Sequence, residues 1–404
     1  MEVSTPSTQP LRGPEASSAS AVAREALSRA QHDYGDLLVE MRERVPTHAA
    51  LVSPEGANVR DVARNLSPED AFIEYLVSDT ASLAFLITRD TVAVANLEIG
   101  RHALAKLIDY VRGTLRPRGN PRLDSLWRAP LRELHARLIL PLEESGLLKG
   151  KTRLILVPQA ELNYLPFAAL VDGLTQKFLV ERYEIVMTPS ASVWLALAAR
   201  VARRPGAGVL ALAPNPAALP ASRAEVAAIA RLGGADVRVL VGKEATEDAF
   251  RREASSRRVL HLATFGYLNR QNPLFSFVDL APGGAEDGRL EVHEVFGLAL
   301  SADLVVLSAC QTALGSGALS DLPAGDDWVG LARAFLHAGA ARVMASLWAV
   351  DDRATAVLME RFYRAYVGKA SAASALAVAQ RTLIDAGSTS HPFYWAGFQI
   401  VGEQ

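Results

Sequence analysis

"VLHLATFGYLN", residues 259–269, reads as a buried strand that runs out into a polar loop. Its unbroken apolar start suits a strand covered on both faces, as parallel strands are. Similar runs recur through the second part of the chain: "TRLILVPQA" (152–160), "GVLALAPNP" (208–216), "DVRVLVG" (236–242), "ADLVVLSAC" (302–310) and "ARVMASLWAV" (341–350). Between them lie helix-periodic segments such as "SASVWLALAARVAR" (190–203), "SRAEVAAIARLGG" (222–234), "TEDAFRREAS" (246–255), "DWVGLARAFLHAG" (327–339) and "RATAVLMERFYRAYVG" (353–368). Strands alternating with helices predict an α/β fold, a doubly wound and mostly parallel sheet with helices on both faces. In such sheets binding sites lie beyond the carboxyl ends of the strands. Two ends stand out for chemistry: "HLATFG" at 261–266 and "VLSACQTALGSG" at 306–317.

The rest of the 404 residues divides by composition. Residues 1–20 are rich in Ser, Pro and Thr with almost no large apolar groups, and a disordered tail is expected there. A helical pattern follows from 21 to about 44. Residues 70–79 and 81–100 read as strands, 101–115 as an amphipathic helix, and 123–148 as helical with interruptions near Pro130 and Pro141. Residues 21–148 are therefore expected to form a smaller helical and α/β unit ahead of the main domain at 149–404.

Bulk properties exclude several classes. Net charge is −2 and charged residues are 21% of the chain, so no basic field points to nucleic acid or an anionic membrane. No run of about 18 apolar residues predicts a membrane span, and the N-terminus lacks a signal-peptide pattern. With one cysteine, Cys310, no internal disulfide or cysteine-rich zinc site is available, and a cytoplasmic protein is expected. The acids at 286–288 lie at no metal-ligand spacing from any histidine, and phosphate loops, G-x-S-x-G and H-E-x-x-H are absent. No cofactor and no metal are expected.

Cys310 stands at a strand exit before a Gly-rich turn. A thiol there is either a small buried hydrophobe or a nucleophile facing a cleft. A nucleophile needs a base within reach. In caspases that histidine lies about 50 residues upstream. His261 is 310 − 261 = 49 upstream, and Phe265 is 310 − 265 = 45 upstream. Counting selects His261. Geometry does not, because four residues of strand put it roughly 13 Å below position 265, where a satisfied core histidine is the simpler reading.

The chain resembles the CHAT family of caspase-like proteins, often fused to tetratricopeptide repeats. The resemblance rests on "HLATFGYLNRQNPLFSFVDLA" (261–281), "LVVLSACQTALGSG" (304–317), "GLARAFLHAGAARVMASLWAVDD" (330–352), "LMERFYRAY" (358–366) and "HPFYWAGFQIVG" (391–402). It extends upstream through "LILVPQAELNYLPFAAL" (154–170) and "LSPEDAFIEYLVSDTASLAFLITRD" (66–90). The resemblance implies a caspase-type cysteine peptidase mechanism. Cys310 maps to the nucleophile, and the N–H groups of Gly266 and Cys310 to the oxyanion hole. The family's base is a histidine at the position of Phe265, which cannot accept a proton.

An impaired peptidase that works by binding a peptide or protein partner, such as a tetratricopeptide-repeat protein, is therefore expected. An active endopeptidase with a substitute base or an activating partner is the alternative. Gln311, Trp348, Asp351 and Asp352 are candidate substrate-binding residues at the same edge. One of the two aspartates is expected to cap a helix instead. His293, His337 and His391 read as surface or structural residues. The loop at 320–328 reads as a groove wall or a solvated connector.

Overall fold

A computed structural model describes residues 56–120, 122–200, 206–269, 272–311 and 327–403, with backbone alone at 235, 309–311 and 327–329. The expected tail, the helix at 21–44, the Gly-rich turn after Gln311 and most of the 320–328 loop lie outside the described residues. The chain runs α1 (Val59–Asn65), β1 (Asp70–Val77), β2 (Ser82–Ile87), β3 (Val92–Leu97), α2 (Arg101–Leu115), α3 (Arg128–Leu138), α4 (Leu140–Glu144), β4 (Arg153–Val157) and β5 (Glu184–Met187). It continues with α5 (Ala191–Arg200), β6 (Ala207–Ala213), α6 (Pro220–Gly233), β7 (Val237–Val241), α7 (Glu247–Ala254) and β8 (Arg257–Tyr267). Then come β9 (Phe277–Asp279), β10 (Arg289–Glu291), α8 (Val292–Val295), β11 (Leu304–Gln311), α9 (Asp327–Ala338), β12 (Arg342–Ser346), α10 (Asp352–Val367), α11 (Ala372–Asp385) and β13 (Phe398–Gly402).

The strands form one 13-stranded sheet. β7, β6, β8, β11 and β12 are parallel neighbours in that order. β13, β5, β4 and β1 form a second parallel series. The two series meet at β12 and β13, which pair antiparallel. Antiparallel strands β2 and β3 extend one end of the sheet, and β9 and β10 extend the other. Because β1 pairs with β4, strands on either side of residue 149 share this sheet.

Consecutive residues Leu154 to Val157 in β4 and Leu304 to Leu307 in β11 are all buried. Successive strand side chains face opposite ways, so burial of both parities means that both faces are covered. One apolar layer packs Val62 and Leu66 of α1 with Phe72, Ile87, Ile155, Val157 and Trp194. Trp194 and Phe72 meet with ring centroids 5.4 Å apart.

One arginine set between two acids clasps the second parallel series, and another spans the seam between the two series. Arg153 on β4 bonds Asp70 of β1 and Glu184 of β5, both at 3.1 Å, and these residues are register partners. Arg342 at the start of β12 bonds Asp303, just before β11, and Glu403, just after β13. Such opposite-charge neighbours disfavour register slips.

Three local outcomes differ from the sequence-based expectation. Pro130 does not interrupt a helix. It sits in the first turn of α3, where no N–H is needed, and the break comes at Ile139, followed by Pro141 in the first turn of α4. β8 continues to Tyr267 rather than ending at 265, because β9 lies against Gly266 and Tyr267. Third, β5, α11 and β13 add a parallel pairing, a helix and the antiparallel seam that the pattern of apolar runs did not announce. No helix among the described residues is long and apolar enough to cross a membrane.

Candidate active site

The β8–β11 ladder aligns Cys310 with Phe265 and Gln311 with Gly266. Neighbouring strands run about 4.8 Å apart, so the two positions to which the family resemblance assigns nucleophile and base are adjacent in the sheet. Phe265 is half-buried and Gly266 is buried. The side chains of Cys310 and Gln311 are outside the described atoms.

The other side of β8 forks at this level. β6 pairs with β8 as far as Leu262, whereas β9 takes up the same edge from Gly266 onward. Residues 263–265 thus have no strand partner on that side. Polar groups fill the fork, as unpaired backbone requires. The Thr264 hydroxyl donates to the Asp279 carbonyl. The Asn215 amide, just past β6, donates to Asp279 Oδ2 at 2.7 Å and approaches Thr264 Oγ1 at 3.4 Å. Asn215 and Asp279 were not selected from the sequence. Their signal lay in "LAPNP" and "FVDLA", strand ends whose polar residues follow apolar runs.

Beyond the fork the rim is apolar. Tyr267 stacks on Phe277 with centroids 4.7 Å apart, and Arg289 lies 5.2 Å over the Phe277 ring. Leu274 and Phe275 are 49% and 45% exposed. Tyr267 and Phe277 are register partners next to Gly266 on β8 and β9, Leu274 and Phe275 lie in the turn before β9, and Arg289 begins β10.

The other candidate residues follow β12. Trp348 Nε1 donates to the Phe393 carbonyl at 3.0 Å, and the indole closes over Gly397, where an added Cβ would meet Cε2 at 3.0 Å. Asp351 is the N-cap of α10 and accepts from Ala354 N at 2.9 Å. Asp352 Oδ2 accepts from Ala221 N at 2.7 Å. That amide belongs to the first turn of α6, whose own N-cap, Leu219, has no side-chain acceptor. Both aspartates therefore cap helix N-termini, Asp351 its own and Asp352 a neighbour's.

His261 is fully buried on β8. Its Nδ1 lies 3.0 Å from the Tyr363 hydroxyl, and its Nε2 lies 2.9 Å from Glu225 Oε1. The latter contact is close but off the hydrogen-bonding line, and neither atom finds another partner. A proton on Nε2 faces the carboxylate and leaves Nδ1 to accept from Tyr363, whose hydroxyl keeps its proton because burial raises its pKa well above the ordinary value. His293 pairs with Glu291 at 3.2 Å and lies against Phe275. His337 meets the Phe296 ring edge-on at 5.1 Å. His391 accepts from Phe393 N through Nδ1 and packs against Trp127, and burial lowers its pKa.

Comparison with known proteins gives this geometry a context. The family described as CHAT domain matches residues 128–403. Tetratricopeptide repeat protein 28 of Mus musculus is 26% identical over 341 residues, covering 70% of this chain and 13% of its own length. The Homo sapiens protein of the same name is 26% identical over 337 residues, with the same coverage. The chain thus spans about an eighth of the length of these curated relatives. A solved structure of the Saccharomyces cerevisiae separase–securin complex superposes with TM-score 0.57 at 11% identity, covering 85% of this chain and 30% of that one. At that identity the likeness is one of fold, and the fold is caspase-like.

Proposed function

This chain belongs to the CHAT family, and from that premise we propose that it is a caspase-like protein that has lost its general base and acts by holding a peptide or protein partner at the carboxyl edge of β8 and β11. The observation that carries the reading is the alignment of Phe265 with Cys310 across the ladder. A phenyl ring accepts no proton. A cysteine without an imidazole beside it keeps a pKa near about 8.5, and apolar surroundings raise it further, so little thiolate forms at neutral pH. Loss of a general base costs roughly 10²–10⁴-fold in rate.

Four of the described histidines give no support to a substitute base. His261 lies deep on β8 between Glu225 and Tyr363, while His293, His337 and His391 have partners of their own. The exposed Tyr267, Leu274 and Phe275 support a binding role, since a group of exposed apolar side chains suits an extended peptide. The tetratricopeptide-repeat relatives support a protein partner, a repeat array among them.

The test is covalent labelling by a peptide carrying a cysteine-directed electrophile, on the natural chain and on Phe265→His. Labelling of the variant alone is expected. Labelling of the natural chain that disappears in Cys310→Ser would overturn the reading in favour of an active endopeptidase.

A further inference from the structure

Far from Cys310 in the sheet order, the break between α3 and α4 brings an unusual set of atoms together. His135 is in the last turn of α3, Glu143 is on α4, and Asp172 is in the turn at 172–177 before β5. One ring nitrogen and two carboxylate oxygens from these residues lie within 4.8 Å of one another. From this juxtaposition we propose that His135, Glu143 and Asp172 hold one divalent transition-metal ion of the zinc class.

His135 is the decisive member. Its side chain is 4% exposed, and its Nε2 has no hydrogen-bond partner. That nitrogen faces Glu143 Oε2 at 4.0 Å. The distance is too long for a hydrogen bond, but two ligands bound at about 2.1 Å on either side of one ion stand at a similar separation.

The carboxylates are positioned from outside. Asp172 Oδ1 accepts from the N–H groups of Leu174 at 2.7 Å and Thr175 at 3.1 Å. Arg182 Nη1 lies 2.7 Å from Glu143 Oε1 and 3.4 Å from Asp172 Oδ2. Tyr183 O–H reaches the same Glu143 Oε1 at 3.4 Å. Arginine and tyrosine thus take the outer oxygen of Glu143 and leave Oε2 toward the imidazole.

One imidazole with two carboxylates suits zinc, cobalt or manganese and is too poor in oxygen for calcium. The other such group among the described residues, Glu247, Glu286 and Glu294, differs in kind. The Arg251 guanidinium already sits among all three, at 2.8, 3.7 and 2.5 Å, and fills the centre.

Arg182 also makes the proposal breakable. Its positive charge works against a cation at the site, so removing it must tighten binding. The experiment is equilibrium dialysis of the full chain, stripped with a chelator, against zinc chloride alone, together with the visible spectrum of the cobalt-loaded protein. One zinc per chain is expected. So is a cobalt spectrum without a thiolate charge-transfer band, which separates this site from binding at Cys310. His135→Gln and Asp172→Asn are expected to weaken binding at least tenfold, and Arg182→Gln to tighten it several-fold. No zinc bound at 100-fold excess, or binding that survives His135→Gln, overturns the proposal. Should His135→Gln fail to fold, an affinity unchanged in Arg182→Gln overturns it equally.

Discussion

His261 and Phe265 stand four residues apart on one strand, and their surroundings are opposite. At His261, β8 is flanked by β6 on one side and β11 on the other, and the imidazole is sealed between Glu225 and Tyr363. At Phe265, β6 has ended, β9 has not begun, and the residue is half-buried beside Cys310 in the ladder. The chain therefore carries an imidazole where no reactant can enter, and a phenyl ring where the family resemblance places a proton acceptor. A buried polar ring must find partners inside the protein, whereas a group at the fork is free to meet a ligand. The same residue type would have different work to do at the two heights.

The sharpest way to break this contrast is to move the imidazole. Phe265→His is expected to raise the rate of Cys310 labelling by a peptide electrophile by about 10²–10⁴-fold, read as a second-order rate constant. An unchanged rate would mean that the upper end of β8 lacks more than a base. At the lower end, Glu225→Ala or His261→Ala removes one member of a buried pair. A loss of about 3–5 kcal/mol of stability is expected in urea unfolding, with the double variant costing less than the sum. A near-zero loss would show that the off-line Glu225–His261 contact contributes nothing.

Smaller effects test the acids beside the cleft. Asp351→Ala and Asp352→Ala each remove a helix cap, at a cost of about 1 kcal/mol. If either variant instead abolishes binding of basic peptides with stability intact, that aspartate is a substrate contact.

The smallest effect concerns the buried histidines outside β8. Burial lowers the pKa of His135 and of His391 below the ordinary 6.5. The unfolded chain then binds more protons than the folded one as pH falls below about 6.5, so their contribution to stability is present above that value and is lost toward the folded pKa. Glu143 and Glu403, raised by burial, act with the opposite sign at lower pH. Comparing His135→Gln with the natural chain isolates the histidine, and the variant is expected to show the flatter decline of unfolding midpoint between pH 7 and pH 5.

The alternation of apolar runs with helix-periodic segments was enough to assign a mostly parallel α/β sheet. Linked motifs such as "LVVLSACQTALG" and "HPFYWAGF" were enough to assign the family, because patterning and short-range chemistry are written locally. The expected departure at Phe265 is likewise a reading of residue type inside a motif. What the tertiary structure decided rests on residues far apart in the chain. Asp352 caps a helix 131 positions earlier, and β13 reverses the sheet against β12. Asn215 meets Asp279 across the fork, and Asp172 closes on His135 from another element. None of these pairings has a spacing that a sequence displays. They arise because the packed chain brings distant elements together, and polar groups such as the Asp352 carboxylate and the Asn215 amide then take the hydrogen-bonding partners within reach.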